Sequence, residues 1–281
     1  MIKLLIRITF IILLFSVKLM NAQEFTGRAV YESKTVMEGV TMKINGKDAD
    51  EAQRKKFQEQ MDKMNEKTFI MDFNKTESIY EEQQKLEAPS SGSNFSVVSS
   101  SGDNGKMYKN IKDRLLISEE DFFDKEFLVT DSLPDWNWKL QPEIKKIGDY
   151  TCHKAISIIA VSEKDKADYE KNKKEQAEGK TQLFTMDEPK EKVITAWYTT
   201  DIPLSHGPDD YWGLPGLILE VNADKTTILC SKIVINPKDK IAIKLPNKGK
   251  KVTKAEYESL TKKRLEQMKD SDGNIKIEIT R

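Results

Sequence analysis

The densest chemistry in the chain lies between residues 197 and 221, which read Trp-Tyr-Thr-Thr-Asp-Ile-Pro-Leu-Ser-His-Gly-Pro-Asp-Asp-Tyr-Trp-Gly-Leu-Pro-Gly-Leu-Ile-Leu-Glu-Val. Trp197, Tyr198, His206, Asp209, Asp210, Tyr211 and Trp212 set aromatic faces beside carboxylates and one imidazole. Such a set suits sugar rings or peptide side chains, so these seven residues form a candidate cleft. The competing reading is a loop that caps the core, because large aromatics are buried more often than they are displayed. Leu214-Pro215-Gly216-Leu217 matches a type II turn, with proline presetting φ at the second position and glycine taking a positive φ at the third. Gly213 beside Trp212 suggests backbone packed closely against an aromatic neighbour. Gly213, Leu214, Pro215 and Gly216 therefore read first as a structural device that launches the apolar run Leu217 to Val221.

Other chemistries find less support. The chain has only two histidines, His153 and His206, and a zinc site would need both to converge with Asp209 or a thiolate. Calcium through Asp201, Asp209 and Asp210 lacks a loop of alternating oxygen ligands. No metal and no cofactor is expected. Nucleophile and nucleotide motifs (G-x-S-x-G, H-E-x-x-H, the P-loop and the dinucleotide fingerprint) do not occur, so no catalytic residue is assigned. A carboxylate pair for glycoside hydrolysis stays open, since the 46 acids offer many pairs whose separation a sequence does not reveal. Cys152 and Cys230 are the only cysteines, each in a strand-like run. In an oxidising compartment they are expected to form a disulfide spanning 79 residues, worth about 4.5 kcal/mol on chain-entropy grounds, rather than to pack as free thiols. No CxxC spacing points to redox catalysis.

The elements that must position these residues are short runs rich in Val, Ile, Thr, Tyr and Phe, separated by turn residues. They fall at Phe25–Met37, Thr68–Phe73 and Glu77–Tyr80 (a hairpin about Asn74-Lys75), Met107–Ile111, Arg114–Ile117, Phe127–Thr130, Trp136–Leu140, Ile144–Tyr150, Cys152–Val161, Val193–Thr199, Leu217–Val221, Thr226–Ile235 and Ile275–Ile279. About a dozen strands without intervening helices predict a mainly β fold, a curved antiparallel sheet or half-barrel with one or two short helices. Helical spacing appears only at Asp50–Asn65 and after the capping box Thr253-x-x-Glu256. Two flexible insertions are expected in the single domain 23–281. One is the Ser/Gly-rich stretch at about 88–105. The other is 162–190, with 15 charged residues in 29, read as a solvated loop in preference to a lid or docking arm.

Residues 1–22 begin with Lys3 and Arg7, continue through an apolar run and end in Met20-Asn21-Ala22, which predicts a secretory signal peptide cleaved after Ala22. The uncharged run Ile8–Val17 is too short for a bilayer that needs about 20 residues, which argues against an uncleaved anchor, and no second long apolar run follows, so no transmembrane segment is expected after cleavage. The expected location is periplasmic or secreted. Removing the signal leaves 43 basic against 46 acidic residues, net −3, a balance that argues against nucleic acid as a partner.

Gly213-Leu-Pro-Gly-Leu-Ile218 spells the signature of the GLPGLI family, and Ile147-Gly-Asp-Tyr-Thr-Cys-His-Lys-Ala155, Thr195-Ala-Trp-Tyr198, Ile202-Pro203 and Gly207-Pro208 also resemble its pattern. The resemblance is strong over residues 144–235 and weak over the N-terminal strands. It implies an exported protein of certain Gram-negative bacteria with no assigned biochemical function. The family also looks related to the bowl-like N-terminal β domain of some secreted peptide-N-glycosidases, a domain that is not the catalytic one, so no catalytic residue carries over. The charged stretch 162–190 is longer than the family core needs.

These readings favour a non-enzymatic binding or accessory module of the cell envelope, with an envelope protein or a glycan as partner. A structural envelope protein is the first alternative and a glycan or peptide hydrolase using the Asp209–Trp212 carboxylates the second. Oligomeric state is not legible.

Overall fold

The computed structural model describes residues 25–36, 43–44, 47–48, 50–51, 55, 65–83, 105–122, 125–177, 188–239 and 241–267. The export signal, nearly all of the charged helix expected at 50–65, residues 88–104 of the Ser/Gly-rich stretch and the strand expected at 275–279 lie outside them.

The chain is mainly β, as the strand-forming runs require, and twelve strands make one open, curved sheet that does not close into a barrel. Its centre is β1 (Gly27–Thr35). On one flank β1 pairs antiparallel with β4 (Glu66–Phe73), which continues as a meander through β5 (Glu77–Glu82), β6 (Met107–Asn110), β7 (Leu115–Phe122) and β8 (Lys125–Ser132). On the other flank β1 pairs antiparallel with β13 (Thr226–Ile235), followed outward by β12 (Leu217–Ala223), β11 (Lys192–Thr199), β10 (Tyr150–Ile159) and β9 (Lys139–Ile147). A separate two-stranded ribbon joins β2 (Lys43–Ile44) to β3 (Lys47–Asp48).

Local chemistry explains the turns. At the β4–β5 hairpin, Asn74 Oδ1 accepts from the amides of Thr76 and Glu77, both at 2.8 Å, so an Asx-type turn folds the chain back. Alternation of apolar and polar residues then directs one face inward. Ala29, Tyr31, Met71 and Phe73 are fully buried, joined by Tyr80, Ala196, Ile218 and Val221 in one main core.

Several expectations change. Trp136 and Trp138 precede the strand rather than lie in it, because Asn137 takes a positive φ of 48° and breaks the extension. The run at 144–150 divides into the end of β9, a turn with Gly148 at φ 56°, and the start of β10. One pairing is parallel: β14 (Lys250–Thr253), unmarked by any long apolar run, adds to β8. The charged stretch expected as a solvated loop is helical over Glu163–Ala177 (α1). Ser162 Oγ accepts from the Asp165 amide at 3.0 Å, while the Asp165 carboxylate accepts from the Ser162 hydroxyl at 2.7 Å, a reciprocal cap ahead of strong helix formers. The Thr253–Glu256 capping box is present at the head of Lys254–Gln267 (α2), with Thr253 N donating to Glu256 at 2.8 Å.

Cys152 and Cys230 are free, buried thiols, not the expected disulfide. The sheet order explains why: β10 and β13 are separated by β11 and β12. Three strand spacings are roughly 14 Å along the sheet, against Cα separations below about 7 Å in disulfides. Burial pushes the thiols up to about 11 for Cys152 and about 12 for Cys230.

Candidate functional site

The segment between β11 and β12, residues 200–216, is a clasp. It leaves one flank of the sheet and binds side chains and backbone of the other. Its anchor is Lys109 on β6, completely buried and absent from the sequence-based candidates. The Lys109 ammonium donates to the carbonyl oxygens of Gly207 at 2.6 Å, Tyr211 at 3.3 Å and Asp209 at short range. Three carbonyls match the three protons of an ammonium. Burial lowers the Lys109 pKa to about 8, opposed by the nearby Asp209 and Asp210 carboxylates, so the group remains charged at neutral pH. The sequence around Lys109 offers no signal of this role: a lysine in a strand reads as solvent-facing until the loop that covers it is placed.

His206 is also fully buried. Its Nε2 lies 3.0 Å from the carbonyl oxygen of Asn74 in the β4–β5 turn, which makes Nε2 the protonated nitrogen. Burial, reinforced by the Lys109 charge, lowers its pKa to about 3, so the ring is neutral across the physiological range. Enclosed in this way, His206 has no path to an external substrate as a general base.

Tryptophans fasten the rest of the clasp to the strand-like segment before β9. Trp136 Nε1 donates to the Asp210 carbonyl at 3.1 Å, Trp138 Nε1 to the Trp212 carbonyl at 2.8 Å, and Trp212 Nε1 to the Pro134 carbonyl at 2.8 Å. The Trp136 ring packs 4.6 Å from that of Tyr211 and 5.8 Å from that of Trp138. Arg114 lies 5.5 Å above the Trp212 ring and pairs with Asp135. Trp136, Trp138 and Trp212 are half-buried, and their indole N–H groups are satisfied internally.

The seven expected cleft residues therefore separate. His206, Asp209, Asp210, Tyr211 and Trp212 gather in the clasp. Tyr211 is buried, its hydroxyl pKa raised by desolvation, and burial likewise raises the Asp210 carboxyl. Trp197 and Tyr198 lie on β11, where alternation sends them to opposite faces. Tyr198 is buried beside His153, with ring centroids 5.8 Å apart. Trp197 sits opposite Glu220 in register, under the Lys145 ammonium at 4.3 Å, and that ammonium also binds both Glu220 oxygens at 2.7 Å. Among the described residues, no three His, Cys, Asp or Glu side chains gather to hold a metal ion.

The signature glycines work differently from the type II expectation. Gly216 is not in the positive-φ region, whereas Gly213 is, at 93°. Gly213 has space around it: an added Cβ would meet only Trp138 Cδ1, at 4.0 Å. At Gly216 an added Cβ would fall 2.0 Å from the Thr199 carbonyl oxygen. Gly213 is thus required by backbone conformation and Gly216 by a close approach of two backbones. Ile202 closes the clasp at its base by accepting from Leu217 N at 2.9 Å, and His206 accepts from Ile218 N at 2.9 Å.

Among solved structures, two of PNGF-II, a peptide-N-glycosidase, in space groups C2 and P21, resemble this chain with TM-scores of 0.45 and 0.47 and identities of 12% and 13%. Each match covers 85% of this chain and 33% of the other, so the chain spans about a third of the length of those proteins. No curated protein matches it. A family model described as "Protein of unknown function (Porph_ging)" matches residues 138–220, from the tryptophan segment through β10 and β11 to the clasp. Over those residues the chain is similar to this GLPGLI-type family of unknown function.

Proposed function

We propose that the protein is an exported, non-enzymatic binding or accessory module of the cell envelope, and that its contact surface is the tryptophan rim formed by Trp136, Trp138 and Trp212. The observation that carries this reading is that all three rings are immobilised by N–H···O=C bonds yet remain half-buried. Rigid aromatic faces lose little entropy on stacking, and Arg114, Asp135 and the exposed Asn137 border them with hydrogen-bonding groups. A glycan or a peptide of an envelope partner fits that chemistry. Export rests on residues 1–22, and cell fractionation with N-terminal sequencing tests it: mature protein beginning at Gln23 outside the cytoplasm is expected, and retention of Met1 in the cytoplasm would remove the envelope assignment.

The burial of His206 favours this reading over the hydrolase, whose histidine would need to reach substrate. Titration with defined peptidoglycan fragments and oligosaccharides, followed by tryptophan fluorescence and calorimetry, is the direct test. Binding that weakens at least tenfold in Trp212→Ala, with the far-ultraviolet dichroism unchanged, is the expected result. No binding by the native protein, or equal binding by the variant, defeats the tryptophan-rim reading. A structural role for the clasp is the second reading, favoured because its polar groups are so largely satisfied within the chain.

A further inference from the structure

Beneath the clasp, β4, β5 and β6 place Phe73, Ser78 and Lys109 side by side in one cross-strand row, Phe73 opposite Ser78 and Ser78 opposite Lys109. All three are completely buried. Residues 206 and 207 of the clasp cross above this row. His206 is on the β4 side, its Nε2 at the Asn74 carbonyl and its ring 6.1 Å from that of Phe73. The Gly207 carbonyl is on the β6 side, 2.6 Å from the Lys109 ammonium. Ser78, in the middle strand, therefore lies under the His206–Gly207 bridge.

Two polar atoms in this space, Ser78 Oγ and His206 Nδ1, are buried without a hydrogen-bond partner among the described residues. Their chemistry is complementary. With Nε2–H donating to a carbonyl, the neutral ring presents Nδ1 as an acceptor, and it needs a donor. The Lys109 ammonium has three carbonyl acceptors for its three protons and has none left to give. The Ser78 hydroxyl is both donor and acceptor. Leaving two such atoms unsatisfied in the core is costly, because each has given up its hydrogen bond to water without a replacement.

We propose that Ser78 Oγ and His206 Nδ1 are the two poles of an internal hydration site, in which one water donates to Nδ1 and exchanges a hydrogen bond with the serine hydroxyl. The water belongs to the structure: it completes the histidine's bonding and thereby holds the clasp down on the middle of the β4–β6 row. Buried waters commonly serve polar groups that protein atoms leave unmatched, typically with two to four partners.

A high-resolution crystal structure is expected to show one ordered water within about 2.7–3.2 Å of both atoms. Ser78 Oγ bonded directly to Nδ1, or each atom bonded to a different protein group, overturns the proposal. A double-mutant cycle supplies the energetic test in solution. Ser78→Ala and His206→Phe each remove one pole, and the unfolding equilibrium constants of native, single and double variants should reveal a coupling of roughly 5- to 30-fold. Coupling below about twofold overturns it. Should His206→Phe not fold, nitrogen NMR of the native protein replaces the cycle. The Nε2–H tautomer with a cross-peak from Nδ1-bound water to the ring is then the supporting result, and the Nδ1–H tautomer the refuting one.

Discussion

Among the described residues, two cores hold together by different means. The main one contains the clasp, where a buried ammonium, a buried imidazole and three indole N–H groups each meet a named backbone carbonyl. The second lies at the β8–β14 edge, where Phe122, Phe127, Val129 and Val252 pack with Tyr257 of α2, whose ring is 5.3 Å from that of Phe127. The edge cluster depends on removing apolar area from water, which is tolerant of shape. The clasp depends on directional bonds from buried donors, which fail abruptly when a donor is removed. Small geometric changes should therefore damage the clasp far more than similar changes damage the edge.

Substitution at Gly216 is the severest way to test that contrast. Gly216→Val drives a side chain into the Thr199 carbonyl, and urea denaturation should register a loss of about 4 kcal/mol; a loss below about 1 kcal/mol would mean that the two backbones separate easily. Acid is the next largest perturbation. The His206 pKa, near 6.5 when unfolded, falls to about 3 when folded, so the unfolded chain binds the extra proton between those values. Stability from this group is complete above about pH 6.5 and declines as pH falls toward 3. His206→Phe should remove that part of the slope, and matching native and variant pH profiles would discard it.

Lys109→Met, which keeps the length of the side chain and removes its charge, leaves three buried carbonyls without their donor and should cost about 2.5 kcal/mol in the same denaturation assay. At the edge, Val252→Ala removes two methyl-sized groups and should cost only about 1.5 kcal/mol. If Val252→Ala proves the more damaging of the two, the division between directional and non-directional cores is wrong. The exposed pair joining Lys164 of α1 to Glu258 of α2, at 3.2 Å, comes last: Lys164→Ala should change thermal stability by less than about 0.5 kcal/mol.

Much of the fold was legible because the sheet is built from neighbours in sequence. Consecutive strands pair across most of it, so strand-forming runs and turn residues such as Asn74 were enough to read an antiparallel sheet. Legibility failed where pairing joins distant segments. β14 meets β8 across more than a hundred residues, and its four residues carry no pattern of their own. α1 escaped notice for a different reason: charged on all sides, it lacks an apolar stripe, and its reciprocal Ser162–Asp165 cap was the one local sign of a helix. For the candidate site, the five clasp residues from His206 to Trp212 were found together because they are adjacent in sequence, while Trp197 was included by proximity along the chain and faces elsewhere.

The amino-acid order by itself determined the mainly β class, the antiparallel meanders, the Thr253–Glu256 cap and the need for glycine in the 213–216 signature, since each follows from interactions within a few residues. Tertiary structure decided why those glycines are needed. Gly213 answers to its own backbone angle and Gly216 to the Thr199 backbone, the reverse of the local expectation. It also decided that Lys109 lies under a loop about a hundred residues away, and that Cys152 and Cys230 stand three strands apart. A sequence records what a residue is able to do, but burial and partnership depend on which distant strands the curved sheet brings beside it.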